Sequence, residues 1–250
     1  MTPLLMVHGI GSCARETFGA PGRVFEKLHP GSMCAFLQSL GYQPGKNLFW
    51  YSYWTLSPLP VLARRLQTEI ERARQKTGGA QIDLLTFSLG GIISKYYTIS
   101  PWYQDDLRRL VMIAPPFFGS RWADWFRSAF AGSEKDVLFP GDGKALSPQL
   151  LKFQNPFLQT LAAIPFPPEI ETTVIAMRSL PGSGAGPLAF GRRWLSGWAG
   201  AGDGIVPVAS AKVPVDHFLE VTEQFSKKTI HKYLPRHPRI QELVGQQLFL

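Results

Sequence analysis

Six short apolar runs, separated by stretches of helical periodicity, constrain the fold of this chain more than any other feature. They are Leu4–Val7, Leu48–Tyr53, Ile82–Phe87, Leu110–Ala114, Thr172–Met177 and His217–Val221. The helices between them carry start and stop signals. Ser32 stands as an N-cap before Met33, Phe36, Leu37 and Leu40, and Gly41 ends that pattern. Ser57, with Pro58 and Pro60, opens a second helix whose apolar stripe is Leu62, Leu66 and Ile70, and Gly78-Gly79 closes it. Gly91–Thr98 follows the third run directly, and Pro238–Leu248 is the last helix. Strands separated by helices of this length imply a mostly parallel sheet of about six strands flanked by helices.

The composition allows such a core. A folded chain of 250 residues buries roughly 70–75% of the surface it exposes when unfolded. Residues 1–250 therefore read as one α/β domain that needs neither disulfides nor metals to hold it. With 18% charged residues, 24 Gly and 21 Pro, the chain is not disordered, collagenous or coiled-coil. Cys13 and Cys34 form no CxxC pattern and read as small buried thiols. No run of eighteen apolar residues predicts a membrane span. The segment MTPLLMVHGIG lacks a basic region and a long apolar run, so no signal peptide is expected and the predicted location is cytoplasmic.

The net charge is +8, but the basic residues are scattered: Arg64-Arg65, Arg108-Arg109, Arg192-Arg193, Lys227-Lys228. Without a long basic run, nucleic acid is not an expected partner. Peripheral contact with an anionic membrane surface remains compatible with the charge. Two irregular stretches interrupt the pattern, from about residue 121 to 168 and from Gly182 to Gly204. Long insertions in compact domains are usually functional, and the first is read as a lid-like insertion.

The chemistry centres on Ser88. Leu84–Phe87 is an apolar strand end, Ser88 sits at the junction, and Gly90-Gly91 let the following helix pack closely on the sheet. This is the context of a nucleophile elbow. Thr86 stands two residues before the Ser, where Gly is usual. A helix N-cap would also explain a Ser here. His8-Gly9-Ile10-Gly11 follows the first strand. A tight glycine turn there exposes backbone N–H groups, and acyl transfer needs two such donors for the tetrahedral oxyanion. Ile10 and Leu89 are the candidate donors, with His8 shaping the turn.

A base and its orienting acid are expected downstream in the order Asp, His. Asp203 lies in Gly202–Pro207, and His231 lies just past the last strand. Asp216 and Glu220 are rival acids, but they sit on the strand and not at its loop end. His29, His217 and His237 read as surface or capping residues.

Together these segments resemble the α/β-hydrolase superfamily, and within it the bacterial triacylglycerol lipase and esterase family. Leu5–Gly11 resembles the oxyanion strand and Thr86–Gly91 the nucleophile elbow. Ala114–Ser120 resembles the family's Thr-Pro-His-x-Gly-Ser stretch, with Thr and His replaced. Asp203–Pro207 and His231–Pro238 resemble the acid and histidine loops. The residue before the nucleophile, often His in this family, is Phe87 here. The likeness spans residues 4 to 248.

The resemblance implies ester hydrolysis through an acyl-enzyme, with Ser88 as nucleophile, His231 as base and Asp203 as its orienter. It implies no cofactor. Some relatives carry structural calcium or zinc, but no ligand-spaced His and Asp cluster is present, so no metal is expected. The substrate is expected to be a small-molecule ester or lipid. Phe87, Phe117, Trp122, Trp125 and Phe126 are the expected substrate contacts; the last three are spaced as one helical face, which either packs on the body of the domain or forms an apolar lid face. A thioesterase, phospholipase or acyltransferase on the same triad, or a non-catalytic binder of the same fold, are the alternatives. Oligomeric state is not legible.

Overall fold

The computed structural model describes residues 1–21, 29–55, 57–121, 150–180 and 202–249. Six strands form one sheet: β1 (Leu4–Val7), β2 (Leu48–Tyr51), β3 (Ile82–Phe87), β4 (Leu107–Ile113), β5 (Glu171–Leu180) and β6 (His217–Gln224). Their order is β2-β1-β3-β4-β5-β6, and every neighbouring pair is parallel. Each apolar run of the sequence becomes a strand. The three later strands are longer than hydropathy suggested. Thr222, Glu223 and Gln224 of β6, for example, extend it by pairing with Arg178, Ser179 and Leu180; hydropathy does not mark polar residues held by ladder hydrogen bonds.

The helices are α1 (Ala14–Phe18), α2 (Met33–Ser39), α3 (Leu59–Thr77), α4 (Leu89–Thr98), α5 (Pro156–Ala163), α6 (Val208–Ala211) and α7 (Pro238–Phe249). Ser32 caps α2 by accepting a hydrogen bond from the Ala35 N–H at 3.2 Å. The helices missed by periodicity, α1, α5 and α6, are too short to show much of it. α5 lies in the stretch read as irregular. Asn155 caps it by accepting from the Phe157 and Leu158 N–H groups, and Leu158, Leu161 and Ala162 are buried. Trp122, Trp125 and Phe126, and the lid reading over residues 122–149, lie outside the described residues, as does most of Gly182–Gly204.

Alternation along the strands divides the core into two layers. Leu5, Val7 and Leu84 face α3, α4, α5 and α6; Leu4, Met6, Leu85 and Phe87 face α1, α2 and α7. β3 is buried at all six positions, as a central strand covered on both faces must be. β6 is partly exposed along most of its length and carries Glu220 and Glu223, charges suited to a sheet edge. Among the described residues, no helix is long and apolar enough to cross a membrane.

This topology fixes where a site can form. The chain runs outward from β1 to β2, then crosses back to β3 and proceeds the other way. The loops after β1 and β3 therefore diverge and leave a crevice at the carboxyl ends of the strands, where ligands bind in open α/β sheets. Val7 is level with both Tyr51 and Thr86, so the chain leaves β1, β2 and β3 at the same edge.

Candidate active site

Ser88 stands at this crevice. Its N–H donates to the Ile113 carbonyl at 2.9 Å, and α4 begins at the next residue. Its φ of 53° and ψ of −120° lie in a region that costs a non-glycine residue on the order of 1–3 kcal/mol. Close packing maintains the turn. A Cβ on Gly90 would lie 2.4 Å from the Val7 carbonyl oxygen and 2.9 Å from that of His8, so only glycine lets α4 start against the end of β1. The same closeness brings the loop after β1 to the serine: a Cβ on Gly9 would lie 3.1 Å from Ser88 Cβ. Leu89 is the first residue of α4, where a backbone N–H has no intrahelical acceptor.

That loop is braced from beneath. His8 is fully buried and stacks on Tyr53 at 4.1 Å, 13° from parallel. Its Nε2 accepts from the Tyr53 N–H at 3.2 Å, its Nδ1 donates to the Gly9 carbonyl at 2.8 Å, and the Tyr53 hydroxyl donates to the His8 carbonyl at 2.5 Å. Both ring contacts require the neutral imidazole with its proton on Nδ1. Burial favours that form by pushing the His8 pKa down, against the opposing pull of the Gly9 carbonyl. Burial likewise pushes the Tyr53 phenol well above its usual value. The Gly11 N–H donates to Thr55 Oγ1 at 3.3 Å, so the loops after β1 and β2 form one unit. No hydropathy pattern signals this partnership.

Asp203 and His231, 28 residues apart, meet directly. His231 Nδ1 donates to Asp203 Oδ2 at 2.6 Å, and the His231 N–H donates to the Asp203 carbonyl at 2.9 Å. The other carboxylate oxygen accepts the N–H groups of Ile205 and Val206 at 3.0 and 2.7 Å. Asp203 is 1% exposed and His231 6%. The acid loop is anchored by the stretch Ala114–Ser120: Ser120 Oγ donates to the Ile205 carbonyl at 2.5 Å, and Ser210 Oγ donates to the Gly119 carbonyl at 2.6 Å.

His231 begins a 3-10 segment, His231–Arg236, that reaches from β6 toward α1, where an Arg236 guanidinium nitrogen donates to the Glu16 carbonyl at 3.0 Å. This path brings the imidazole over Phe87, with ring centroids 4.7 Å apart, beside the residue that precedes Ser88. With Nδ1–H committed to Asp203, the lone pair lies on Nε2, which has no hydrogen-bond partner among the described residues. The Ser88 hydroxyl makes no hydrogen bond to His231 among the described residues; nucleophile–base contacts commonly tighten only when substrate binds.

The rival residues are engaged elsewhere. Asp216 accepts from the Thr172 N–H and hydroxyl at 2.7 and 2.8 Å, at the opposite edge of the sheet, and these contacts hold its carboxyl below the usual range. Glu220 pairs with Arg178. His217 lies 3.6 Å from Glu171, and a ring nitrogen of His29 bonds the Pro30 carbonyl. His237 is buried and not on the surface, but it holds the capping place expected of it: it stands directly before α7, its carbonyl accepts the Gln241 N–H at 3.0 Å, and its Nε2 lies 3.0 Å from Glu223. Phe117 is fully buried in the core, edge-on to Phe166 at 6.5 Å, so its side chain does not open onto the crevice. Among the described residues, no group of three His, Cys, Asp or Glu side chains is placed to hold a metal ion.

No family model matches the chain, and no curated protein matches it in sequence. Solved structures do resemble it. A lipase of Bacillus licheniformis in its mature form superposes with a TM-score of 0.71 at 20% identity, covering 99% of this chain and 91% of the lipase. A phospholipase of Legionella pneumophila gives a TM-score of 0.69 at 14% identity, covering 100% of this chain and 60% of the phospholipase. A metagenomic carboxyl esterase gives 0.59 at 17% identity, covering 99% and 75%. The fold shared with them is that of the α/β-hydrolases.

Proposed function

We propose that this chain of α/β-hydrolase fold is a serine hydrolase of carboxylic esters, of the lipase and esterase type. One observation carries the reading. The strained Ser88 at the topological crevice and the buried Asp203–His231 pair converge on Phe87 at the end of β3. A residue in a costly conformation beside an oriented imidazole fits a nucleophile and its base better than it fits a helix cap. Ser88 indeed makes no side-chain cap hydrogen bond. The similarity to structures named as a lipase, a phospholipase and a carboxyl esterase supports the same chemistry.

In this reading Ser88 Oγ attacks the ester carbonyl carbon as His231 Nε2 removes the hydroxyl proton. The carbonyl oxygen becomes an oxyanion held by the N–H groups of Ile10 and Leu89. Asp203 keeps the imidazole in the required tautomer and stabilises its cationic form. The tetrahedral intermediate collapses, the C–O bond to the alcohol breaks, and His231 returns the proton to the leaving alkoxide. Water, deprotonated by His231, then attacks the acyl-enzyme and restores Ser88. Phe87 forms an apolar wall beside the reacting ester.

Labelling with a fluorophosphonate probe, followed by peptide mass spectrometry, tests this. The expected result is one adduct on Ser88, lost in Ser88→Ala together with p-nitrophenyl ester hydrolysis. Near wild-type turnover in Ser88→Ala rejects the mechanism.

A further inference from the structure

Among the described residues, the two ends of the sheet differ in how their charges are paired. At the amino-terminal ends of the strands, Asp105, Asp106, Glu169, Glu171 and Asp216 are mixed with Lys46, Arg74, Lys76, Arg108 and Arg109. Arg108 pairs with Asp83 and Arg109 with Glu171, each with a contact of 2.6 Å, and Arg74 lies 3.9 Å from Asp106. The carboxyl ends, where Ser88 lies, present Arg121, Lys227, Lys228, Lys232 and Arg236. Of the nearby acids, Asp203 is committed to His231, and Glu223 to His237. Glu16 remains exposed on α1.

The positive end has a focus. Lys227 Nζ and Lys232 Nζ stand 5.3 and 5.0 Å from the ring centre of Tyr233, two residues after His231. Lys228 is the immediate neighbour of Lys227. Among the described residues, no carboxylate lies within ion-pair distance of these three lysines. The field there is net positive: burial would raise the Tyr233 phenol pKa, yet Lys232 and Lys227 hold it below its ordinary value. Like charges gathered without a counter-charge favour an anion.

An apolar group faces the same way. Trp54, 68% exposed, sits between Tyr53, stacked on His8, and Thr55, bonded to Gly11. Trp54 is therefore presented to solvent from a braced loop. The rim is continuous, because Gly11 leads into α1 and α1 meets the 3-10 segment through Arg236. An exposed indole and a lysine cluster at the same end of the sheet match the boundary of a lipid layer, where aromatic rings lie at headgroup depth and lysines pair with phosphates.

We propose that the end of the molecule bearing Ser88 docks on an anionic phospholipid surface, with Lys227, Lys228 and Lys232 at the headgroup phosphates and Trp54 in the interfacial layer. The proposal rests on the ester-hydrolase reading only for the purpose of docking, which is to place ester carbonyls of the lipid at the crevice.

The test is co-sedimentation of the full chain with phosphatidylcholine vesicles, with and without phosphatidylglycerol, at low and high salt. Binding is expected only to the anionic vesicles and should weaken with salt. Each lysine near such a surface contributes about fivefold in affinity, so replacing Lys227, Lys228 and Lys232 together with Ser should weaken binding about a hundredfold. Trp54→Ser should weaken it several-fold. Lys46→Ser with Lys76→Ser, at the opposite end, should leave it unchanged. Hydrolysis of a short soluble ester should survive in all of these variants. Equal binding to both vesicle types, or equal loss in the Lys46 and Lys76 control, overturns the proposal. Vesicle binding retained by Ser88→Ala supports docking even if the catalytic reading fails, which keeps the two separable.

Discussion

Gly90→Ala tests whether close packing of α4 on β1 positions the proposed oxyanion donors. The added Cβ would meet the Val7 and His8 carbonyl oxygens at 2.4 and 2.9 Å. Both are backbone atoms of a central strand and cannot rotate away. Restoring an ordinary contact needs a separation of roughly 1 Å between α4 and the end of β1. Overpacking of this kind costs about 1–3 kcal/mol, offset by about 1 kcal/mol from the better helix propensity of Ala. The net loss should be up to about 2 kcal/mol, which lowers Tm by up to roughly 8 °C in a chain of this size. Activity should suffer more. Leu89 N–H rides on α4 and Ile10 N–H on the loop after β1, so the same shift pulls the two donors apart. A 1 Å misplacement can cost about a hundredfold in rate. Gly245→Ala is the control: its Cβ would press on the Phe36 ring edge at 3.1 Å, a side chain that can move, far from Ser88. Calorimetry and kcat/KM on a soluble ester, measured for both variants, decide the matter. Unchanged Tm and kcat/KM within about twofold in Gly90→Ala would refute the packing argument. A lowered Tm with intact activity would refute its link to the oxyanion donors.

Three further outcomes are expected. Asp203→Asn keeps acceptors for Ile205 and Val206 but turns an amide N–H toward His231, forcing the wrong tautomer; steady-state kinetics should show turnover falling by up to about four orders of magnitude, whereas Asp216→Asn stays near wild type. Arg108→Ala strands the buried Asp83 carboxylate, which accepts two bonds from that guanidinium at 2.9 and 2.6 Å; urea unfolding should show a loss of about 3 kcal/mol, partly recovered by adding Asp83→Asn. Lys95 is 1% exposed, donates to the Ile164 carbonyl and has its pKa pushed down to about 8 by burial. Below pH 8 the fold carries the cost of that buried charge, and as pH rises from about 8 toward 10 the folded lysine sheds its proton before the unfolded one. Wild-type stability relative to Lys95→Met should therefore rise across that window, and a difference that is flat with pH would contradict the burial argument.

The sequence by itself determined the strands, their parallel pairing and the place of Ser88. These features are written in local signals: short apolar runs, caps such as Ser32, and a serine between a strand and glycines. It also singled out Asp203 and His231 by chain order and loop position, and the hydrogen bond between them is a contact that no local pattern contains. What only the tertiary structure decided is what holds those residues together. The Tyr53 ring under His8, Ser120 on the acid loop, and the crossing of the His231 segment to α1 join residues 45, 85 and 220 positions apart in sequence. Such contacts arise from register and loop geometry, so they leave no periodicity to read. Phe117 makes the same point in reverse. Its residue type suggested a substrate contact, whereas packing placed it in the interior. Hydropathy reports how much a side chain gains from burial; the sheet order decides which side chains are buried together.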